Sequence, residues 1–142
     1  SEDRWREPIA EALRDLGAEH VWVVHGHDGL DEITTTGPTH VSEVKDGSVA
    51  SFTFSPQSYG IEMTSLDDLR GGKPAKNAEA LRDLLDGNSS AYRDIVILNS
   101  GVALHIAGIA ADIPSGIDLA VEAIDTFKAR ETLAKLVDAS QR

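Results

Sequence analysis

The chain contains no cysteine and a single methionine, Met63, among its 142 residues. The absence of cysteine excludes disulfide bonds, zinc–thiolate sites, iron–sulfur clusters and cysteine nucleophiles. It is compatible with a reducing compartment, and the cytoplasm is the location that we expect. The sequence also lacks a run of the ~20 apolar residues that a membrane-spanning helix requires, so we expect no membrane partner.

Positive charge is scarce in this sequence. Lys and Arg together number 13 against 24 for Asp and Glu, which gives a formal net charge of −11. A general nucleic-acid binder, or a protein that rests on anionic lipid, needs a positive surface to attract its partner. We therefore expect no nucleic-acid partner. The abundant carboxylates leave room for a site that holds a hard divalent cation through oxygen ligands.

The length and composition are those of a folded domain, with 41% hydrophobic and 26% charged residues, and we predict a single α/β domain over residues 1–142. Apolar spacing predicts a helix over 5–16 that ends at Gly17. The run over 20–25 is rich in β-branched residues, which is typical of a strand covered on both faces, as in a parallel sheet.

Further elements follow along the chain. Two Thr-, Val- and Phe-rich segments, 34–44 and 48–54, predict strands that are joined by a hairpin at Asp46-Gly47. The irregular pattern over 55–76 predicts mostly loop, with room for a short helix near 64–70. Three longer helices follow: one capped by Asn77 that ends at Gly87, a buried helix over 94–110, and one that starts at a Ser115–Asp118 capping box after Pro114 and continues or breaks near Arg130.

Ionisable residues are concentrated directly after the first predicted strand, in the stretch His25-Gly26-His27-Asp28-Gly29-Leu30-Asp31-Glu32. In open α/β sheets, ligand sites form beyond the carboxyl ends of the strands. The adjacent carboxylates of Asp31 and Glu32 repel each other, and Mg²⁺ prefers a few such carboxylates together with waters and substrate phosphate oxygens. We predict that Asp31 and Glu32 are magnesium ligands, although the same residue types also occur in plain solvated turns.

A second interpretation takes His25 and His27 as a transition-metal pair. Imidazole suits Zn²⁺ or Fe²⁺, and Asp28 or Asp31 would complete the ligand set of a metal-dependent hydrolase. Other chemistry lacks its motif here, since the sequence has no Gly-x-Ser-x-Gly nucleophile elbow, no Walker P-loop and no dinucleotide-binding fingerprint.

The segment from Val23 to Thr39 resembles the Val-His-Gly-x-Asp-Gly-Leu-Asp-Glu segment of the anthranilate phosphoribosyltransferase family. The likeness continues through Leu69-Arg70-Gly71-Gly72, Asn77-Ala78, the segment from Ile97 to Leu104, and the helix that follows Gly116. This resemblance implies the C-terminal part of a nucleoside phosphorylase/phosphoribosyltransferase-like α/β domain, with helices packed on a mixed sheet.

The resemblance also implies a reaction. Members of the family transfer the phosphoribosyl group of phosphoribosyl pyrophosphate to anthranilate, with Mg²⁺ as cofactor, in tryptophan biosynthesis. Carried over residue by residue, Asp31 and Glu32 match the acidic pair that binds Mg²⁺, and no catalytic residue falls within this chain. The resemblance further implies a homodimer for the complete enzyme.

Two family features have no counterpart in this sequence: the Gly-Thr-Gly-Gly-Asp phosphate loop and the Lys-His-Gly-Asn segment. In the family these segments and the N-terminal helical domain precede the matching part. We therefore expect a C-terminal fragment that is inactive alone. The alternative is a truncated paralogue that acts as a non-enzymatic binding module.

Overall fold

The structure, a computed structural model, describes residues 2–141. Three strands and five α-helices are arranged in the order α1 (Arg6–Asp15), β1 (His20–Gly26), β2 (Thr39–Lys45), β3 (Ser48–Phe54), α2 (Pro74–Leu85), α3 (Ala91–Ile106), α4 (Ile113–Asp125) and α5 (Lys128–Ser140), with short 3₁₀ helices at Asp3–Trp5 and Pro56–Tyr59. The α/β fold class is confirmed. None of the helices described between residues 2 and 141 has the length and apolar character required to cross a bilayer.

The three strands form one antiparallel sheet in the order β1-β2-β3. The predicted hairpin is present, and Asp46 and Gly47 both adopt positive φ between β2 and β3. Within the described residues the sheet is antiparallel throughout, which corrects the parallel or mixed arrangement predicted from the run over 20–25. That run indicates coverage on both faces, and an antiparallel sheet packed between helices meets the same requirement.

Helices cover both faces of this sheet. Side chains alternate along a strand, so Trp22 and Val24 belong to the core that contains Leu98 and Val102 of α3. The opposite face is covered by α1. There Ala10 is fully buried, and the guanidinium of Arg6 donates a hydrogen bond to the hydroxyl of Ser42. The result is a layer of sheet between α1 and α3.

Helix α3 is fixed from a second side by α4. The two backbones meet at Gly101 and Gly116, where a Cβ added to Gly116 would overlap the carbonyl oxygen of Gly101. Glycine alone allows this approach. A second apolar cluster joins α2, α3 and α4 through the buried side chains of Leu84, Leu85, Ile97, Ala120 and Ile124. Helix α3 is therefore the element against which the sheet, α2 and α4 all pack.

The predicted buried helix over 94–110 is confirmed as α3, and the predicted strand over 48–54 as β3. Residues 34–38, predicted as part of a strand, instead form a buried loop. Threonine favours strands on average, but here the threonine hydroxyls bond a carboxylate and each other, which competes with strand pairing. The predicted helix near 64–70 is a turn over 66–69.

Two helix starts differ from prediction. Helix α2 begins at Pro74, since proline in the first turn has no amide to leave unpaired. Asn77 lies inside the helix, where its Oδ1 accepts a 2.7 Å hydrogen bond from the Gly72 amide. Helix α4 is capped by Asp112, whose carboxylate accepts from the amide of Ser115, so Ser115 is not itself the cap.

Candidate functional site

The predicted site residues lie in or beside the loop that joins β1 to β2, which we call the acidic loop (residues 27–38). The loop folds back on the end of β1. The Gly26 amide donates to the Leu30 carbonyl at 2.9 Å, and the His27 amide donates to the Pro38 carbonyl at 3.1 Å. These bonds hold both ends of the loop against the carboxyl end of the strand.

Asp28 organises the inside of the acidic loop. Its Oδ2 accepts hydrogen bonds from the hydroxyls of Thr34 at 2.7 Å and Thr36 at 2.5 Å, and its Oδ1 accepts from the Leu30 amide at 3.1 Å. Burial acts to raise the pKa of Asp28, but the hydrogen bonds from Thr36, Thr34 and Leu30 outweigh it and the net pKa is lowered. Asp28 is therefore an ionised carboxylate whose oxygens are engaged within the loop.

Asp31 and Glu32 lie at the exposed tip of the same loop. Both side chains are exposed. Between residues 2 and 141, no hydrogen bond or ion pair engages either carboxylate. The structure thus places this pair, which we call the acidic doublet, beyond the carboxyl end of β1 with its oxygens open to an outside ligand.

The two histidines of the alternative metal pair have different environments. His25 lies on β1 opposite His40. His27 lies beyond the strand and is exposed, and its ring packs so closely on Gly37 that a Cβ there would overlap it. In the part of the chain that the structure describes, no group of three or more His, Asp or Glu side chains is placed to hold a metal ion. Among residues 2–141, the acidic doublet therefore has no third His, Asp or Glu beside it to complete a ligand set.

Sequence reasoning missed one residue of this region, Asn99 in the middle of α3. Its Oδ1 accepts from the Ile33 amide at 3.0 Å, and its Nδ2 donates to the Ile33 carbonyl at 2.8 Å. The same Nδ2 also donates to the Ile95 carbonyl at 2.9 Å, one turn back on α3. An amide side chain in an otherwise apolar helix is the signal that could have identified it.

Comparison with known proteins places this geometry in a family. The model of the glycosyl transferase family, a/b domain, matches residues 2–130. The chain belongs to this family. Anthranilate phosphoribosyltransferase from Methylocella silvestris is 54% identical over 138 residues, which are 97% of this chain and 40% of that protein.

Solved structures of this glycosyl transferase family share the fold. The anthranilate phosphoribosyltransferase of Thermus thermophilus superposes with a TM-score of 0.87 at 33% identity, over 96% of this chain and 40% of that one. The Saccharomyces cerevisiae enzyme in complex with PRPP and Mg has a TM-score of 0.86 at 24% identity, again over 96% of this chain and 40% of that one. The chain therefore spans about 40% of the length of these relatives.

The acidic doublet of this glycosyl transferase domain fits a magnesium ion. Mg²⁺ takes oxygen ligands, keeps several of its waters, and is usually held by one or two carboxylates together with substrate phosphates. Asp31 and Glu32 supply two exposed carboxylates with no competing protein donor among residues 2–141. Asp28 offers no comparable ligand, since its oxygens already accept three hydrogen bonds.

Proposed function

We propose that this chain is the part of an anthranilate phosphoribosyltransferase that holds a magnesium ion through Asp31 and Glu32. The observation that carries the proposal is the acidic doublet itself, exposed and unengaged within residues 2–141 at the carboxyl end of β1. It is supported by the 54% identity to the Methylocella silvestris enzyme. The yeast enzyme of the same fold was solved in complex with PRPP and Mg, and that complex is consistent with a donor substrate that binds together with a cation.

The reaction joins the amine nitrogen of anthranilate to C1 of the ribose, and the bond from C1 to the pyrophosphate oxygen breaks. Positive charge develops on the ribose and negative charge on the departing pyrophosphate, while the amine loses a proton. A bound magnesium ion supplies Lewis-acid stabilisation of that negative charge. The carboxylates of Asp31 and Glu32 hold the ion and need not touch the sugar, because the charge of the ion dominates the site.

The acidic loop prepares the doublet for this task. Two adjacent carboxylates repel each other, so a flexible loop would let them separate when no cation is bound. Leu30, on one side of the doublet, is tied to Gly26 and Asp28. These bonds restrain the backbone beside Asp31 and Glu32 before an ion binds, which would reduce the ordering cost of binding.

The remaining contacts with substrate belong to the part of the enzyme outside this chain. We propose that residues 1–142 form part of an α/β domain. The family's glycine-rich phosphate loop and N-terminal helical domain would supply the contacts with the donor and the acceptor. The complete enzyme would be a cytoplasmic homodimer. The 142-residue chain alone would not catalyse the transfer reaction.

The test uses the complete enzyme, with residues numbered as in this chain. Asp31→Asn combined with Glu32→Gln should lower kcat/KM at limiting Mg²⁺ by at least about 100-fold, because the ion supplies several kcal/mol of charge stabilisation. The matched control is Glu79→Gln with Asp83→Asn, which makes the same charge change on exposed positions of α2. Near-normal kinetics of the first variant at low Mg²⁺ would remove the assignment.

A further inference from the structure

The acidic doublet lies between two backbone anchors, one on each side. Before it, the Leu30 carbonyl accepts from Gly26 and the Leu30 amide donates to Asp28. After it, both the amide and the carbonyl of Ile33 are bonded to the side chain of Asn99. The first anchor belongs to the loop and its own strand. The second reaches across 66 positions of sequence to α3.

The anchor on α3 is rigid. Leu98 and Val102, on either side of Asn99 along the helix, are 0% and 2% exposed, and Gly101 meets the backbone of α4. The Asn99 amide is itself oriented by its 2.9 Å bond to the Ile95 carbonyl. The main chain of Ile33, a residue that is only 3% exposed, is therefore hydrogen-bonded to a side chain held in the core.

We infer that Asn99 is a positioning residue for the divalent cation, acting through Ile33 on the adjacent carboxylates of Asp31 and Glu32. This inference rests on the proposed function. The two hydrogen bonds from the Asn99 side chain fix both the position and the orientation of the Ile33 main chain, as pairing with a neighbouring strand would. Mutation of residues that orient metal ligands typically lowers metal affinity by about 10–100-fold.

The physical reason is that Ile33 has buried main-chain groups that need partners. When Asn99 is truncated, the Ile33 amide and carbonyl lose theirs, and the backbone gains by moving toward water. That movement separates the mutually repelling carboxylates of Asp31 and Glu32. Asn99 carries no charge, and its hydrogen bonds go to Ile33 and Ile95, so we assign its effect to the placement of the carboxylates.

The experiment measures Mn²⁺ binding to the complete enzyme by electron paramagnetic resonance, with turnover as a second readout. Asn99→Ala should raise the Mn²⁺ dissociation constant about 10–100-fold, the range seen when partners of metal ligands are removed. Saturating Mg²⁺ should restore most of the turnover of Asn99→Ala but not that of Asp31→Asn with Glu32→Gln. Amide hydrogen exchange at Ile33 should become faster.

The matched control is Ile97→Val on the same helix. Ile97 is 4% exposed and packs in the cluster with Leu84 and Ile124, away from the acidic loop. The control therefore weakens the packing of α3 without touching Ile33, and its Mn²⁺ dissociation constant should stay within about twofold of wild type. Should Asn99→Ala fail to fold, Asn99→Ser is measured in its place, with a weakening of the same direction expected.

The outcomes separate this inference from the function on which it rests. If Asp31→Asn with Glu32→Gln abolishes Mn²⁺ binding while the Asn99 variant binds as Ile97→Val does, the positioning role is wrong and the magnesium site stands. If the acidic-doublet variant itself binds Mn²⁺ normally, both are wrong. Mn²⁺ binding that is weakened in the Asn99 variant but not in Ile97→Val, with turnover recovered at saturating Mg²⁺, supports the positioning role.

Discussion

The acidic loop contains two kinds of carboxylate only three residues apart. Asp28 accepts three hydrogen bonds from its own loop, and its pKa is lowered. Asp31 and Glu32 are exposed, and no side chain or amide among residues 2–141 engages them. The difference indicates two separate roles: Asp28 maintains the conformation of the loop, and the acidic doublet remains available to a cation.

Acidic residues of one loop can differ in how available their oxygens are to a metal ion. Aspartate and glutamate of the same loop look alike in sequence, but lone pairs that already accept protein hydrogen bonds are poorly available to a metal ion. Substitutions of Asp28 and its partners should therefore act on the free energy of unfolding. Substitutions of the doublet should act on cation binding and leave folding unchanged.

The largest change in stability is expected for Asp28→Ala. The Thr34 and Thr36 hydroxyls and the Leu30 amide lose their acceptor, and Thr34 is fully buried. We expect the free energy of unfolding of the complete enzyme to fall by about 2–4 kcal/mol, because several hydrogen bonds to a charged group are lost together. Chemical denaturation measures it, with Asp31→Ala as control. A loss below about 0.5 kcal/mol, the ordinary range of surface substitutions, would show that Asp28 does not organise the loop.

The pH dependence of stability should also report the contribution of Asp28. Asp28 has a pKa below its usual value in the folded protein. Its stabilising contribution is therefore complete above the unfolded-state pKa of about 3.9 and is lost as the pH falls through the lower folded-state pKa. Between about pH 5 and acid unfolding, Asp28→Asn should lose stability less steeply than wild type. Equal slopes for Asp28→Asn and wild type would contradict the assignment.

A smaller effect is expected for Thr36→Val, which removes one hydroxyl from Asp28 with little change in shape. The free energy of unfolding should fall by about 1 kcal/mol, the usual net value of one hydrogen bond. Thr53→Val, at an exposed position of β3, is the control and should be close to neutral. If both variants are equally stable, the 2.5 Å bond to Asp28 contributes nothing measurable.

The smallest change in stability is expected for the acidic doublet. Asp31→Asn with Glu32→Gln should leave the free energy of unfolding within about 0.5 kcal/mol of wild type, because neither carboxylate has a partner within residues 2–141 to lose and their mutual repulsion is relieved. Adding Mg²⁺ should raise the Tm of wild type, since the ion binds the folded state, but not that of the variant. A large loss of stability without Mg²⁺ would indicate a structural role instead.

Sequence reasoning located the acidic doublet because the relevant information is local. A β-branched run followed by glycine marks the end of β1, and whatever follows directly lies at the end of that strand. The same local signals predicted α3 and the hairpin at Asp46-Gly47. Each of these features depends on residues only a few positions apart.

Two features that were not predicted depend on contacts between distant residues. The β-branched residues of β1 indicate coverage on two faces but carry no information on the direction of the paired strand. Asn99 bonds to Ile33 across 66 positions, which no local pattern reveals. The start of α2 at Pro74 is a different case, because the Asn77 side chain accepts a hydrogen bond from the nearby Gly72 amide instead of capping the helix.

The most direct measurement is diffraction from crystals of the complete enzyme soaked with Mn²⁺ and phosphoribosyl pyrophosphate, with the ion located by its anomalous signal. We expect the ion bound to carboxylate oxygens of both Asp31 and Glu32, at distances close to the ~2.1 Å typical of Mg²⁺, with pyrophosphate oxygens and waters as the other ligands. Asp28 should still accept hydrogen bonds from Thr34 and Thr36. An ion held elsewhere, with Asp31 and Glu32 turned to solvent, would contradict the magnesium assignment.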